Sequence, residues 1–380
     1  MHSISKPNNV TLGILGGGQL GMFLALAAQA RGMRVHLYIE RAGDHPASAH
    51  AQEIFTGNGW SDSSTIKRFA ESCDVVLLEN EFVPVELLNE ISGVEFFPNL
   101  PSYAIFQDKL REKDLAAAAG VTVSDYQLVA SVKAVQTKLS QWNKLVLKTC
   151  RGGYDGTGNL TVTNQTPETE IQNFLNRGPC LAERWVTFDH EVAVMVARSS
   201  SQEVVFPVAE TIQHHHICHQ VIAPARFSDE LNTRIQHAAL KITRQANGLG
   251  LFGVEFFITS SGDILYNETA PRPHNSAHFT IEGCSLSQFD AHISVAVGEA
   301  LASPRLKSDA VGMLNLLGTP NGTNQLTPLD LFKANQAGHL WLYGKKESRP
   351  GRKMGHYTLL GDSASVVLSD LTQLQQRYSL

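Results

Sequence analysis

At 380 residues the chain exceeds the ~250–300 at which a single hydrophobic core stops growing, so two or three domains are expected. A hydrophobic content of 43% and a charged content of 18% suit a globular protein, while the net charge of -5 excludes a broadly basic nucleic-acid-binding face. Five cysteines without a CxxC pair argue against a disulfide framework or zinc knuckle, Met1 to Asn9 is too polar for a signal peptide, and no apolar run has a membrane span's length. A cytoplasmic protein with no nucleic-acid or membrane partner is expected.

In chain order, Val10 to Leu15 reads as a buried strand, Gln19 to Arg31 as a helix and Arg34 to Tyr38 as the next strand. Asp74 to Leu78 and Glu95 to Phe97 are further short apolar strands. Strands alternating with helices predict parallel βαβ units. Between the first strand and helix lies Gly16-Gly17-Gly18-Gln19-Leu20-Gly21, a GxGxxG segment with Glu40 about twenty residues further on. Glycines let backbone approach an anion and a helix N-terminus supplies N–H donors, so this loop suits any phosphate. A dinucleotide-binding dehydrogenase or cofactor module is one open reading.

A helix follows from about Asp108 to Ala119, with Gly120 as its C-terminal cap. Leu145 to Lys148 and Leu160 to Thr163 are strands flanking a second glycine-rich segment, Lys148 to Asn159. Its Gly152, Gly153, Gly156 and Gly158 make a flap whose amides can close over phosphates, and Lys148 can hold a phosphate as a point charge. From Cys180 to Phe206 the pattern predicts an antiparallel sheet with one wet face. Within it, Glu183-Arg184-Trp185-Val186 can line a nucleotide base, with Glu191 in reach of a ribose; an ordinary amphipathic strand is the alternative.

Asp229 to Asn247 is helical, and Gly253–Ile258 and Ile264–Asn267 read as paired strands. Glu255 and Glu268, with Asn267 beside the second, are acids in otherwise apolar strands. A Mg²⁺ ion on ATP phosphates would satisfy them, as would structural salt bridges. A helix from Ser287 to Leu301 precedes a small terminal domain. His214-His215-His216 with His219 reads as a solvated loop rather than a metal site, because strand neighbours point to opposite faces.

Five segments together resemble the ATP-grasp superfamily, and within it the bicarbonate-fixing ligases of purine biosynthesis. They are the first glycine loop, Gln107-Asp108-Lys109, Gly152 to Gly156, Asn267 to Ser276 and Arg352 to His356. The resemblance implies an ATP-grasp fold of mixed α/β and α+β class. Residues 1–107 would form a Rossmann-like N-terminal domain, 108–300 the ATP-grasp domain with a lid at about 120–182, and 301–380 a small C-terminal domain.

The implied activity is carboxylation of 5-aminoimidazole ribonucleotide with ATP and bicarbonate, via carboxyphosphate, by a magnesium-dependent homodimer. The resemblance assigns ATP phosphates to Lys109, Lys148 and the flap from Gly153 through Tyr154, Asp155, Gly156, Thr157 and Gly158 to Asn159. It assigns adenine to Glu183, Arg184, Trp185 and Val186, ribose to Glu191, further nucleotide contacts to Gln213 or His214 and Asn267, and metal to Glu255 and Glu268. The ribonucleotide would meet Gln19, Leu20, Glu79, Glu81, Tyr154, Asp155 and Asn275, with Lys345 and Arg352 clamping its 5′-phosphate. Arg272 and His274 would face bicarbonate, with Asp155 or His274 taking the amine proton, so that Asp155, Arg272, His274 and Lys345 form the chemical group. Thr157, Ala277 and Met22 depart from the branch's usual residues, as does the order Glu79-Asn80-Glu81-Phe82-Val83.

Overall fold

The computed structural model describes residues 10–153, 158–214, 217–318 and 338–378. Five short apolar segments form the first sheet: β1 (Thr11–Leu15), β2 (Arg34–Ile39), β3 (Glu53–Thr56), β4 (Val75–Leu78) and β5 (Glu95–Phe97). All pair in parallel, in the order β3-β2-β1-β4-β5. Period-two alternation divides their side chains between two cores. Leu12, Ile14, Val35 and Leu37 pack with Phe23 and Leu24 of helix α1 (Gln19–Ala30), whereas Leu15, Tyr38, Val76 and Leu78 pack against Ile66 and Phe69 on the other side.

A four-stranded antiparallel sheet follows, built from β6 (Tyr126–Val129), β7 (Leu145–Thr149), β8 (Asn159–Val162) and β9 (Cys180–Arg184) in the order β6-β9-β7-β8. The second glycine segment joins β7 to β8. A nine-stranded sheet completes the fold, with β10 (His190–Arg198), β11 (Glu203–Val205), β12 (Ala209–His214), β13 (Ile217–Ala223), β14 (Gly250–Ile258), β15 (Ile264–Ala270), β16 (Ala310–Leu317), β17 (Gly338–Leu342) and β18 (Lys353–Gly361). Its strands from residue 310 onward join through β13 paired to β16, so the C-terminal part of the chain extends this sheet.

The segment from Cys180 to Phe206 departs from expectation in two ways. Cys180–Arg184 belongs to the four-stranded sheet, and β10 is buried from Val192 to Ala197 rather than alternately wet. Val192, Val194 and Val196 pack under the helix Asp229–Gln245, while Met195 and Ala197 pack with Ala291 and Val295 of the helix Gln288–Val297. Helices cover both faces of the strand, so no wet face remains. The second of these helices stops short of Leu301 because Gly298, at φ +75°, closes it in the left-handed region.

Candidate active site

Two cavities of about 330 and 520 Å³ lie where the three sheets converge. Lys109, Thr149, Gly153, Glu268, His274, Asn275 and Lys353 line both, so the chambers meet along these side chains. The larger one runs between β7, β9 and the strands β14 and β15, and takes in Lys148, Glu183 to Val186, Glu191, Gln213, Glu255 and Asn267. The smaller one is closed by the first glycine loop at Gln19 and Leu20, by Glu79 and Glu81, and by Arg272.

In the larger chamber the carboxylates are crowded. Glu255 and Glu268 face each other in the β14–β15 register, and Asn267 donates to Glu255 at 3.3 Å. Burial first, then Glu268 and Glu191, push the Glu255 carboxyl well up. Burial and the Glu268 charge raise Glu191 to about 7. Glu268 is instead held down, chiefly by Lys109, whose Nζ lies 2.6 Å from its Oε2 and 3.2 Å from Glu112. Two facing, partly buried acids with an amide beside them suit a hard divalent cation that takes its remaining ligands from phosphates and water. No cluster of three or more His, Cys, Asp or Glu suited to a metal occurs among the described residues.

Lys148 leaves the end of β7 toward the same chamber, with Nζ 3.1 Å from Glu183 Oε1 and 3.3 Å from Asn267 Oδ1. The sequence places Glu183 at a strand end suited to a nucleotide base, but its side chain is buried between two ammonium groups, with Lys113 at 3.0 Å. Burial pushes this carboxyl up, yet Lys148 and Lys113 outweigh that and hold it at about 2. Burial depresses Lys113 in turn, and the Glu183 carboxylate opposes the drop. Phe188 stacks on Phe257 with ring centroids 4.3 Å apart, giving the chamber an apolar wall beside Val186.

The first glycine loop is not an open phosphate cradle. The Glu79 carboxylate accepts from the Gly18 and Gly21 amides at 3.0 and 2.9 Å, taking the donors a dinucleotide pyrophosphate would need. A Cβ on Gly16, at φ +133°, would sit 2.1 Å from Glu79. The glycines are therefore required for this internal contact, and the dehydrogenase reading loses its site. Burial raises the Glu79 carboxyl to about 7 against the pull of those amides. Beside it, Arg272 Nε donates to Glu81 Oε2 at 2.9 Å, tying the end of β15 to the segment that leaves β4 of the parallel sheet.

His274 lies between the chambers, its Nδ1 2.7 Å from Ser276 Oγ and its Nε2 3.5 Å from Glu255 Oε1. The Asn275 and Asn315 side-chain amides bond reciprocally at 3.1 and 2.8 Å. Lys345 and Arg352 line neither cavity. Lys345 donates to Gln19 Oε1 at 2.9 Å, just beyond the smaller chamber, and Arg352 approaches Asp44 at 3.7 Å. Gln213 lines the larger chamber, whereas His214 is exposed with its ring edge-on to His219, so the alternation of neighbours along β12 separates these two candidates. Tyr154, Asp155, Gly156 and Thr157 lie outside the described residues. Sequence reasoning assigned no role to Lys353, Glu112 or Lys113; the first stood inside a quoted segment, and the other two follow Lys109 at helical spacing.

Two lysines and paired acids beside a glycine-rich β7–β8 connection, set between a four-stranded antiparallel sheet and a larger sheet, define an ATP-grasp protein. Residues 114–289 match the ATP-grasp domain, residues 9–107 the ribonucleotide synthetase preATP-grasp domain, and residues 311–370 the phosphoribosylaminoimidazole carboxylase C-terminal domain. The N5-carboxyaminoimidazole ribonucleotide synthase of Bacillus subtilis is 33% identical over 364 residues, covering 95% of this chain and 94% of that protein. A crystal structure of an ADP complex of N5-carboxyaminoimidazole ribonucleotide synthetase superposes with TM-score 0.91 at 33% identity, over 100% of both chains. The Aspergillus clavatus enzyme, solved with ADP and 5-aminoimidazole ribonucleotide, superposes with TM-score 0.89 at 31% identity, over 98% of this chain and 100% of that one. This chain belongs to the N5-carboxyaminoimidazole ribonucleotide synthase family.

Proposed function

We infer that the protein uses ATP and bicarbonate to carboxylate the exocyclic amine of 5-aminoimidazole ribonucleotide, releasing ADP and phosphate. The observation that carries this reading is the pair of chambers meeting at Lys109, Glu268, His274 and Lys353. A phosphoryl donor on one side and a nucleophilic acceptor on the other would face each other there. A bicarbonate oxygen attacks the γ-phosphorus and ADP leaves. The ribonucleotide amine then attacks the carbonyl carbon of carboxyphosphate, the C–O bond to phosphate breaks, and the amine gives up a proton.

Charge develops on phosphoryl oxygens, so the protein's main work is to place cations and N–H donors around them. Lys148, Lys109 and the flap amides supply these in the larger chamber. Arg272 offers a planar fork to bicarbonate or carboxyphosphate. His274, which lines both chambers, would accept the amine proton, with Asp155, outside the described residues, as the other candidate. Glu255 and Glu268 would hold Mg²⁺, which would neutralise phosphate charge when bound. The backbone of Glu183 to Val186 and the Glu191 side chain would hold adenosine, the Glu183 carboxylate being committed to Lys113 and Lys148, and Gln19, Glu81 and Asn275 would hold the ribonucleotide. A cytoplasmic homodimer with domain boundaries near residues 107 and 300 completes the proposal; no helix among the described residues is long and apolar enough to cross a membrane.

The test is ADP release measured with and without the ribonucleotide and bicarbonate. ADP formation that both substrates stimulate is expected, and formation indifferent to the ribonucleotide would refute the reading.

The proposed 5′-phosphate clamp adds a pH signature. Burial first, then Arg352 and Lys353, lower Lys345 from 10.5 to about 7. Between those values the unfolded chain holds a proton that the folded chain lacks, so this group's contribution to stability is lost as pH falls toward 7. Binding a phosphate requires the charged form. Ribonucleotide affinity should therefore weaken as pH rises above about 7, by up to about tenfold per unit, while Lys345→Arg flattens the profile. Calorimetric titration between about pH 6 and 9 checks this; a flat wild-type profile contradicts it.

A further inference from the structure

The helix Lys109–Ala118 directs Lys109, Glu112 and Lys113 to one face, at i, i+3 and i+4. Lys109 reaches both cavities, but Lys113 lines neither and is only 1% exposed. A buried ammonium is costly unless paired. Lys113 Nζ lies 3.0 Å from Glu183 Oε2 and donates to the Tyr266 carbonyl at 3.1 Å, linking the helix to β9 and β15. Ser124 Oγ donates to the same Glu183 Oε2 at 3.1 Å. Glu183 Oε1 meets Lys148 at 3.1 Å.

Each oxygen of one carboxylate thus serves a different ammonium, and only Lys148 of the two lysines reaches the larger chamber. With both lysines charged, the three groups sum to one positive charge, presented at that wall. Without the Lys113 charge the sum is zero, and the whole Glu183 charge falls on Lys148. In so dry a place that difference is felt strongly.

We propose that Lys113 is a positioning residue for ATP: it engages one oxygen of Glu183 so that the Lys148 ammonium remains available to a phosphate. The inference rests on the ATP reading of the larger chamber. Lys113 itself touches no substrate.

The experiment compares wild type, Lys113→Met, Lys113→Arg and the double variant Lys113→Met/Glu183→Gln as full chains. ADP affinity is measured by calorimetry, KM for each substrate by turnover, and melting temperature alongside. Lys113→Met should weaken ADP binding and raise KM for ATP roughly tenfold or more, as loss of a second-layer partner does at other charged sites. KM for the ribonucleotide and for bicarbonate should stay put. Lys113→Arg should retain most of the affinity, and the double variant should regain it because Lys148 again carries an uncompensated charge. A purely structural lysine would give a lower melting temperature with unchanged ADP affinity, and that result overturns the proposal. If Lys113→Met does not fold, the double variant decides the matter: ADP affinity near wild type supports the proposal, and a roughly tenfold loss overturns it. Wild type that binds no ADP would remove the ATP reading itself, a different failure.

Discussion

Glu268→Gln should lower turnover by about a thousandfold or more while the protein melts no earlier than wild type. The two halves of this expectation have one cause. Glu268 faces Glu255 across the β14–β15 pair, and its charge is among the groups that raise the Glu255 and Glu191 carboxyls. Removing that charge relieves the repulsion among these carboxylates and offsets the loss of the Lys109 ion pair. Lys109 keeps a partner in Glu112 at 3.2 Å, so no orphaned ammonium results. Gln matches Glu in size, so no void opens. Yet the same charge is what would hold a divalent cation against ATP, a contribution of about 4 kcal/mol to the barrier at a thousandfold. ADP release at saturating ATP, read against magnesium concentration, is the measurement, with calorimetric melting beside it. Activity within about tenfold of wild type would show that Glu268 holds no metal. A large loss of melting temperature would instead make the residue a structural ion-pair partner.

Much of the parallel sheet was legible because its signal is local. β5 falls on Glu95–Phe97 as expected, and β1, β2 and β4 lie within one residue of their expected bounds. Short apolar runs separated by helical patterns leave few alternatives there. The reading of β10 failed because an apolar run can lie against one layer or between two, and the covering helices come from residues 229–245 and 288–297. Charges in the site were harder still. Glu79 meets amides 58 and 61 residues away, and Lys113, on a helix, meets a carboxylate on β9. Spacing along the chain says nothing about such contacts. What it did offer was Lys113 four residues after Lys109, hence the same helix face. A lysine on a helix is ordinarily solvated, so only the closed geometry shows this one to be buried.

Arg272→Lys should cost about a hundredfold or more in turnover while leaving ADP affinity within about twofold of wild type. Arg272 lines the smaller chamber and not the larger one, so nucleotide binding does not depend on it directly. Its Nε is committed to Glu81 at 2.9 Å and one Nη to the Pro273 carbonyl at 3.0 Å, contacts that orient the guanidinium plane. Lysine keeps the positive charge, but it is a point donor and cannot both hold Glu81 and present a fork to a planar anion. The loss should therefore fall on capture of bicarbonate or carboxyphosphate. Two ratios make the result specific. ADP release should fall together with ribonucleotide carboxylation if Arg272 acts at the phosphoryl step. If carboxyphosphate forms but is not held for the amine, ADP release should exceed carboxylated product. Equal, near wild-type rates for both would place Arg272 in the structure alone, as the tie between β15 and the segment that leaves β4.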